Sequence, residues 1–221
     1  MGLHDPKVAV TLEALHAKAR GDVFIFLRAL PAMALAVLRR RPFFEALEPH
    51  LKDAYIPVTR DQGAMLYGVA RAIGARTIVE FGTSFGISAI YLSAAAQANG
   101  GRFIGTEREP AKIRAARENL AMAGLDGVSE VRDGDAMETL RDLEGPIDFL
   151  LLDGWKDLYS PILRMLAPRI RPGGVVFADN IHTFRKTLAP YVAWVQDPRN
   201  GFDSTTLPLG HGLEFSVRHG G

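Results

Sequence analysis

The sequence predicts an α/β protein: a doubly wound, mostly parallel, seven-stranded sheet that ends in an antiparallel hairpin and carries extra helices at its amino terminus. Three observations predict it. From residue 76 onward, short apolar runs alternate with helix-length segments, the pattern of right-handed βαβ units. Phe149-Leu150-Leu151-Leu152 and Val175-Val176-Phe177-Ala178 are apolar without alternation, as strands buried on both faces of a parallel sheet are. Near the carboxyl end, Ser204–Leu209 and Leu213–Arg218 flank Gly210-His211-Gly212, a hairpin signature.

In chain order, helices are predicted over 7–20, 22–40 and 43–52; Pro57 imposes an extended step, and a further helix covers 61–73. Strands follow at 76–81, 102–107, 128–132, 147–152 and 174–178, with helices at 86–98, 109–123, 135–142, 157–168 and 183–195. Pro198-Arg199-Asn200-Gly201 separates this run from the hairpin. No repeat or Gly/Ser linker divides the chain, so residues 1–221 read as one domain. Within it, 1–55 form a helical cap, lid or dimer segment, and 56–221 a cofactor-binding core.

The composition excludes several classes. Lys and Arg number 26 against 25 Asp and Glu, so no global field draws the chain to nucleic acid or membrane. With no cysteine there are no disulfides, zinc thiolates or thiol nucleophiles. Met1–Pro6 lacks the basic and apolar regions of a secretory signal, and a cytoplasmic location is expected. Val23–Leu38 is strongly apolar, but it contains Arg28 and Pro31 and falls short of the ~20 apolar residues a spanning helix needs. It reads as helices packed on the domain or on a second copy, which allows a homodimer.

Function in such sheets gathers at the carboxyl ends of the strands. The first strand runs into a turn, Glu80-Phe81-Gly82-Thr83-Ser84-Phe85-Gly86, that enters a helix at Ile87-Ser88. Gly82 and Gly86 let backbone approach a ligand, and the helix amides face an anionic group. Glu107 closes the second strand, where a carboxylate can accept from both ribose hydroxyls. The order Glu80-x-Gly82-x-x-x-Gly86 lacks the middle glycine that shapes a dinucleotide turn. A glutamate at the loop mouth repels a pyrophosphate but suits an ammonium and a nearby sulfonium, which points to S-adenosylmethionine.

Two later strand ends bring a second set of groups. Asp153 follows Phe149–Leu152, with Lys156 three residues on, and Asp179-Asn180 follow Val175–Ala178. Two carboxylates and an amide oxygen are hard ligands that suit a magnesium-like ion, and a lysine beside such a cation can act as a base near neutral pH. Singly, each has an ordinary reading: Asp153 as a helix N-cap, Lys156 as a surface ion-pair partner, Asp179-Asn180 as turn residues. Their joint position at adjoining strand ends carries the functional reading. Tyr159 reads as packing, and His182 as a partly exposed loop residue or else a group that meets the substrate or supports the ligand pair. Phe184, Tyr191 and Trp194 fit one apolar helix face, or else an acceptor pocket.

Asp153-x-x-Lys156-x-x-Tyr159 with Asp179-Asn180, over roughly Val58 to Ile181, resembles the class I S-adenosylmethionine-dependent methyltransferases, and specifically the metal-dependent catechol O-methyltransferase type. Gly212-Leu213-Glu214 adds a weaker match. The resemblance implies a Rossmann-like methyltransferase fold. It implies Asp153, Asp179 and Asn180 as magnesium ligands and Lys156 as general base. Around the methionine moiety it places Glu80, Gly82, Ser88, the backbone at Val58 and the turn residues Thr83, Phe85 and Gly86, with Asp153 contributing charge towards the methionine end as well as to the metal. Glu107 would meet the ribose, Asp135-Ala136 the adenine edge, and Trp155 the adenine face. Gly154 stands where the catechol enzymes carry a histidine, and the place of their late glutamate falls near Thr205.

The expected function is S-adenosylmethionine- and magnesium-dependent O-methylation of a small phenolic or vicinal-dioxygen metabolite, with that small molecule as the partner. Two other functions remain open at this point: methylation of a modified uridine in transfer RNA, for which Arg39-Arg40-Arg41 is the only dense basic cluster, and cofactor binding without catalysis.

Overall fold

A computed structural model describes residues 2–21, 55 and 57–219. The predicted helices at 22–40 and 43–52, the apolar Val23–Leu38 stretch and the Arg39–Arg41 cluster lie outside the described residues. Among the described residues, seven strands form one sheet in the order β3-β2-β1-β4-β5-β7-β6. The strands are β1 (Thr77–Phe81), β2 (Arg102–Glu107), β3 (Ser129–Asp133), β4 (Ile147–Leu152), β5 (Ile170–Ala178), β6 (Phe202–Leu207) and β7 (Leu213–Arg218). β1 to β5 run parallel, and β7 pairs antiparallel with both β5 and β6. Strand order reverses about β1, which has β2 on one side and β4 on the other, so a crevice opens beyond its carboxyl end.

Helices cover both faces. On one side lie α1 (Pro6–Ala19), α2 (Arg60–Ala72), α3 (Ile87–Ala98) and α4 (Pro110–Met122), packed over Ile78, Phe103, Phe149, Leu151 and Phe177. On the other lie α5 (Ala136–Thr139), α6 (Tyr159–Leu166) and α7 (Arg185–Val195), over Val79, Leu150, Leu152, Val176 and Ala178. Along β1, β2 and the last four residues of β4 and β5, alternate residues thus serve different cores, and all six residues of β4 are buried. α1 begins where the sequence places it, with Asp5 accepting the Lys7 N–H and Pro6 in the first turn.

The differences from expectation are local and have causes. β5 starts at Ile170 because a bulge absorbs Arg171–Gly174: Ile147 pairs with Ile170, but Phe149 already pairs with Val175. The predicted helix 135–142 shrinks to Ala136–Thr139. Arg132 Nη1 donates to the Thr139 carbonyl at 2.6 Å, and Leu143 N–H turns to Leu140 instead. The predicted helix 157–168 divides into α6 and a 3₁₀ turn at each end, Lys156–Leu158 and Ala167–Arg169. β6 covers 202–207 rather than 204–209, since Pro208 has no N–H to continue the ladder. No helix among the described residues is long and apolar enough to cross a membrane.

Candidate active site

Register brings three strand ends to one level. Phe81 pairs with Leu152, and Leu152 with Ala178. The ladder runs one residue further, with Asp153 N–H donating to Phe81 O at 2.9 Å and Asp179 N–H to Leu152 O at 3.0 Å. Asp153 and Asp179 therefore leave neighbouring strands side by side. Asn180 follows in the left-handed region at φ 66°, a conformation that non-glycine residues hold at functional sites more than elsewhere, and its Nδ2 donates to Asp179 Oδ2 at 3.2 Å.

Lys156 turns back onto this pair. Its Nζ lies 3.5 Å from Asp153 Oδ1, and the two side chains are only 12% and 15% exposed. The same Nζ donates to Tyr159 Oη at 2.7 Å, and Tyr159 Oη donates in turn to the Asp179 carbonyl at 3.3 Å. Neither ordinary reading holds here. Trp155 and Leu158 are the residues at the helix starts, neither with a side-chain cap, so Asp153 caps nothing, and Lys156 is no surface lysine. Tyr159, read from the sequence as packing, is fully buried and bonds to the lysine as well. Phe184 is the aromatic of its helix segment that reaches the site, 5.3 Å from Lys156 Nζ. Tyr191 is core, and Trp194 packs on Phe202.

Burial dominates the electrostatics. It pushes Asp153 well above the usual carboxylate range, and the Asp179 charge adds to this against the opposing pull of Lys156. Asp179 is raised by burial too, offset by the Asn180 backbone N–H, Lys156 and the Gln62 side chain. Burial lowers Lys156, while both carboxylates hold it up. Two buried carboxylates facing one lysine leave a negative excess, and that donor set fits a hard divalent cation.

The cofactor turn fits its expected guest as well. Glu80 is fully buried, and neither carboxylate oxygen has a hydrogen-bond partner of full geometry. Burial pushes its pKa up to about 7; the Ser88 and Thr83 hydroxyls lie close enough to lower it, and the Glu107 charge adds a little. Unpartnered buried acceptors of this kind call for a donor that the chain does not supply. Gly86, at φ 87°, starts α3 with no side-chain cap, which leaves helix amides for an anionic group. Gly82 takes φ 95°, and a Cβ there would sit 2.5 Å from Gly154 Cα. A Cβ on Gly154 would meet the Phe81 ring at 2.5 Å, so Phe81 fills the space that a side chain at 154 would need.

The other residues expected around the cofactor sit at the same end of the sheet. Glu107 accepts from Ser84 N–H at 2.9 Å, Arg108 N–H at 2.8 Å and Glu109 N–H at 3.0 Å, which fixes its carboxylate and knits it to the turn. Asp135 accepts the Met137 N–H at 2.7 Å as the N-cap of α5. Thr83 packs inward over Gly105, and the Phe85 ring stacks on Tyr55 at 4.1 Å. Ser88, Ala136 and Val58 are buried. Trp155 is 41% exposed, with the Arg108 guanidinium 5.1 Å over its ring. Sequence reasoning missed Gln62, which donates to Asp179 Oδ1 at 2.9 Å. Its signal was present as Thr59-x-x-Gln62, a capping-box spacing.

The strand order, the switch-point crevice and the terminal hairpin define a Rossmann-like methyltransferase fold. Among solved structures, the cofactor-bound Rv0187 protein from MTB matches with a TM-score of 0.71 at 26% identity, covering 90% of this chain and 97% of its own. An O-methyltransferase from Bacillus cereus in complex with SAH matches in fold with a TM-score of 0.67 at 23% identity, covering 86% of this chain and 90% of its own. Residues 79–181 match the family described as a methyltransferase domain. A curated catechol O-methyltransferase from Niastella koreensis is 33% identical over 137 residues, 60% of this chain and 62% of its own length. One from Mycobacterium tuberculosis is 35% identical over 127 residues, 57% of each. The chain thus spans about three fifths of the length of the curated relatives it matches.

Proposed function

We propose that this protein is an S-adenosylmethionine-dependent O-methyltransferase that works on a small phenolic or vicinal-dioxygen acceptor with the help of a divalent cation such as magnesium. The observation that carries the reading is the convergence of Asp153, Asp179 and Asn180 at adjoining strand ends, with Lys156 Nζ 3.5 Å from Asp153. The catechol O-methyltransferase names of the relatives support it.

The cofactor supplies an electrophilic methyl group on sulfur. Glu80 would accept from its ammonium, the amides at the start of α3 would meet its carboxylate, and Glu107 would accept from its ribose. Asp153, Asp179 and Asn180 would hold the cation, which when bound lowers the pKa of an acceptor hydroxyl and fixes its approach. Lys156, its ammonium form disfavoured by burial, takes the hydroxyl proton on Nζ. Tyr159 holds that amine in place from the opposite side. Phe184 gives the acceptor an apolar wall. No observation favours the transfer-RNA or non-catalytic readings.

The test uses labelled S-adenosylmethionine, magnesium and three pools: catechols, polyphenols and bulk transfer RNA. Transfer to a small-molecule pool, abolished by a chelator, is expected. Asp179→Ala should lose that chelator-sensitive turnover while binding S-adenosylhomocysteine nearly as wild type. Full turnover by Asp179→Ala would remove the cation from the mechanism.

A further inference from the structure

One buried side chain outside the set read from the sequence touches the candidate cation site and is itself held on three sides. Gln62 is 1% exposed. Its Oε1 accepts the Thr59 N–H at 2.9 Å, the Gln62 backbone N–H donates to Thr59 Oγ1 at 3.1 Å, and the side-chain Nε2 donates to Asp179 Oδ1 at 2.9 Å. The first two bonds are a capping box at the start of α2. The third reaches 117 residues along the chain to the end of β5. A backbone N–H can only donate, so Thr59 dictates which end of the amide carries oxygen, and the nitrogen is left to face Asp179. Gly210 closes the remaining side: a Cβ there would lie 2.5 Å from the Gln62 amide carbon.

We propose that Gln62 is a positioning residue for Asp179, fixing the rotation of that carboxylate so that it is presented to the divalent cation in one orientation. The proposal rests on the reading of Asp153, Asp179 and Asn180 as cation ligands given under Proposed function. Hydrogen bonds to a ligating carboxylate orient it and raise the affinity of the site. The same amide ties Asp179 to Thr59, the residue after Val58, so the segment expected to line the methionine end of the cofactor and the cation ligand share one fixed group. A capping box needs only an acceptor at this position, and glutamate would serve it equally. The donor that glutamine adds is directed at Asp179.

The experiment titrates Mn2+ into protein loaded with S-adenosylhomocysteine, by calorimetry, for wild type, Gln62→Met and Thr59→Ala, with thermal melts alongside. Gln62→Met keeps the length of the side chain but removes the donor; Thr59→Ala damages the same helix end but leaves the contact to Asp179. The expected result is an Mn2+ affinity weakened on the order of 10–100-fold in Gln62→Met and unchanged in Thr59→Ala, with melting lowered in both. Should Gln62→Met show no melting transition, Gln62→Asn replaces it; that amide is a methylene too short to span Thr59 and Asp179, and the same loss is expected. Wild-type Mn2+ affinity in the variant, or equal weakening in Thr59→Ala, overturns the proposal. A wild-type protein that takes up no Mn2+ overturns the cation reading itself, and that failure is distinct because it needs no variant.

Discussion

Glu80 offers the sharpest perturbation, because its acid–base behaviour runs opposite to that of most protein carboxylates. It is fully buried with both oxygens unpartnered, and its pKa rises from 4.5 to about 7. A carboxyl that holds its proton more firmly in the folded state stabilises the fold fully below 4.5, and that contribution is lost as pH rises to 7. At ~1.4 kcal/mol per tenfold, the gap between the two values is worth roughly 3 kcal/mol in the cofactor-free protein. An ammonium placed against Glu80 reverses the preference and expels the proton on binding. Affinity for S-adenosylhomocysteine should therefore climb by nearly tenfold per pH unit below 7 and level off towards 7.5. Calorimetry in buffers of different ionisation enthalpy should count about one proton released at pH 6. Glu80→Gln should bind more weakly at pH 7.5, lose the slope and the proton release, and melt higher than wild type when cofactor-free at that pH. A flat affinity profile in the wild type, with no proton released at pH 6, would refute both the burial argument and the assignment of Glu80 to the cofactor.

Two further outcomes follow from the geometry. Lys156→Met should lower turnover by about 10²–10⁴-fold with cofactor affinity retained, and the rise of rate with pH that marks the loss of the lysine proton should vanish; a surviving rise would place the base elsewhere. Glu214 is fully buried and accepts from Gln196 Nε2 at 2.8 Å, Ser204 Oγ at 2.6 Å and Thr206 Oγ1. Glu214→Ala strands those donors between β6, β7 and α7, and should cost roughly 2–4 kcal/mol in urea unfolding; an unchanged midpoint would show that water replaces the carboxylate.

Sequence alone reached the fold because each buried strand announces itself locally. The strands β2 and β4 fall where their apolar runs and bounding polar residues put them. Apart from the early end of β6 at Pro208, the shortened helix at 136–139 and the early start of β5 turn on contacts beyond the immediate neighbours. Nothing near Thr139 reveals that Arg132 will claim its carbonyl, and Pro172-Gly173-Gly174 reads as a strand break until β4 pulls Ile170 into register beyond it. Short-range propensity places an element, but a long-range partner decides where it stops.

The site divides along the same line. Asp153, Lys156 and Asp179 were legible because a strand end plus an acidic residue is a local pattern, and a parallel sheet brings such ends together whatever the intervening chain does. Tyr159 packs in the core as its sequence suggests, but its hydroxyl also bonds Lys156 and the Asp179 carbonyl, and the second of these partners arrives only when β5 is in register. Gln62 was missed although its capping spacing was visible, since a capping box predicts what the amide oxygen does and says nothing about the nitrogen. That nitrogen faces a residue just past the end of β5, 117 residues along the chain, and only the folded register supplies the acceptor. The residues proposed to touch a ligand can thus be read from the ends of secondary structure, whereas those that hold them still depend on tertiary pairing. In this chain the second group sits on α2 and α6, on opposite faces of the sheet, and both members converge on Asp179.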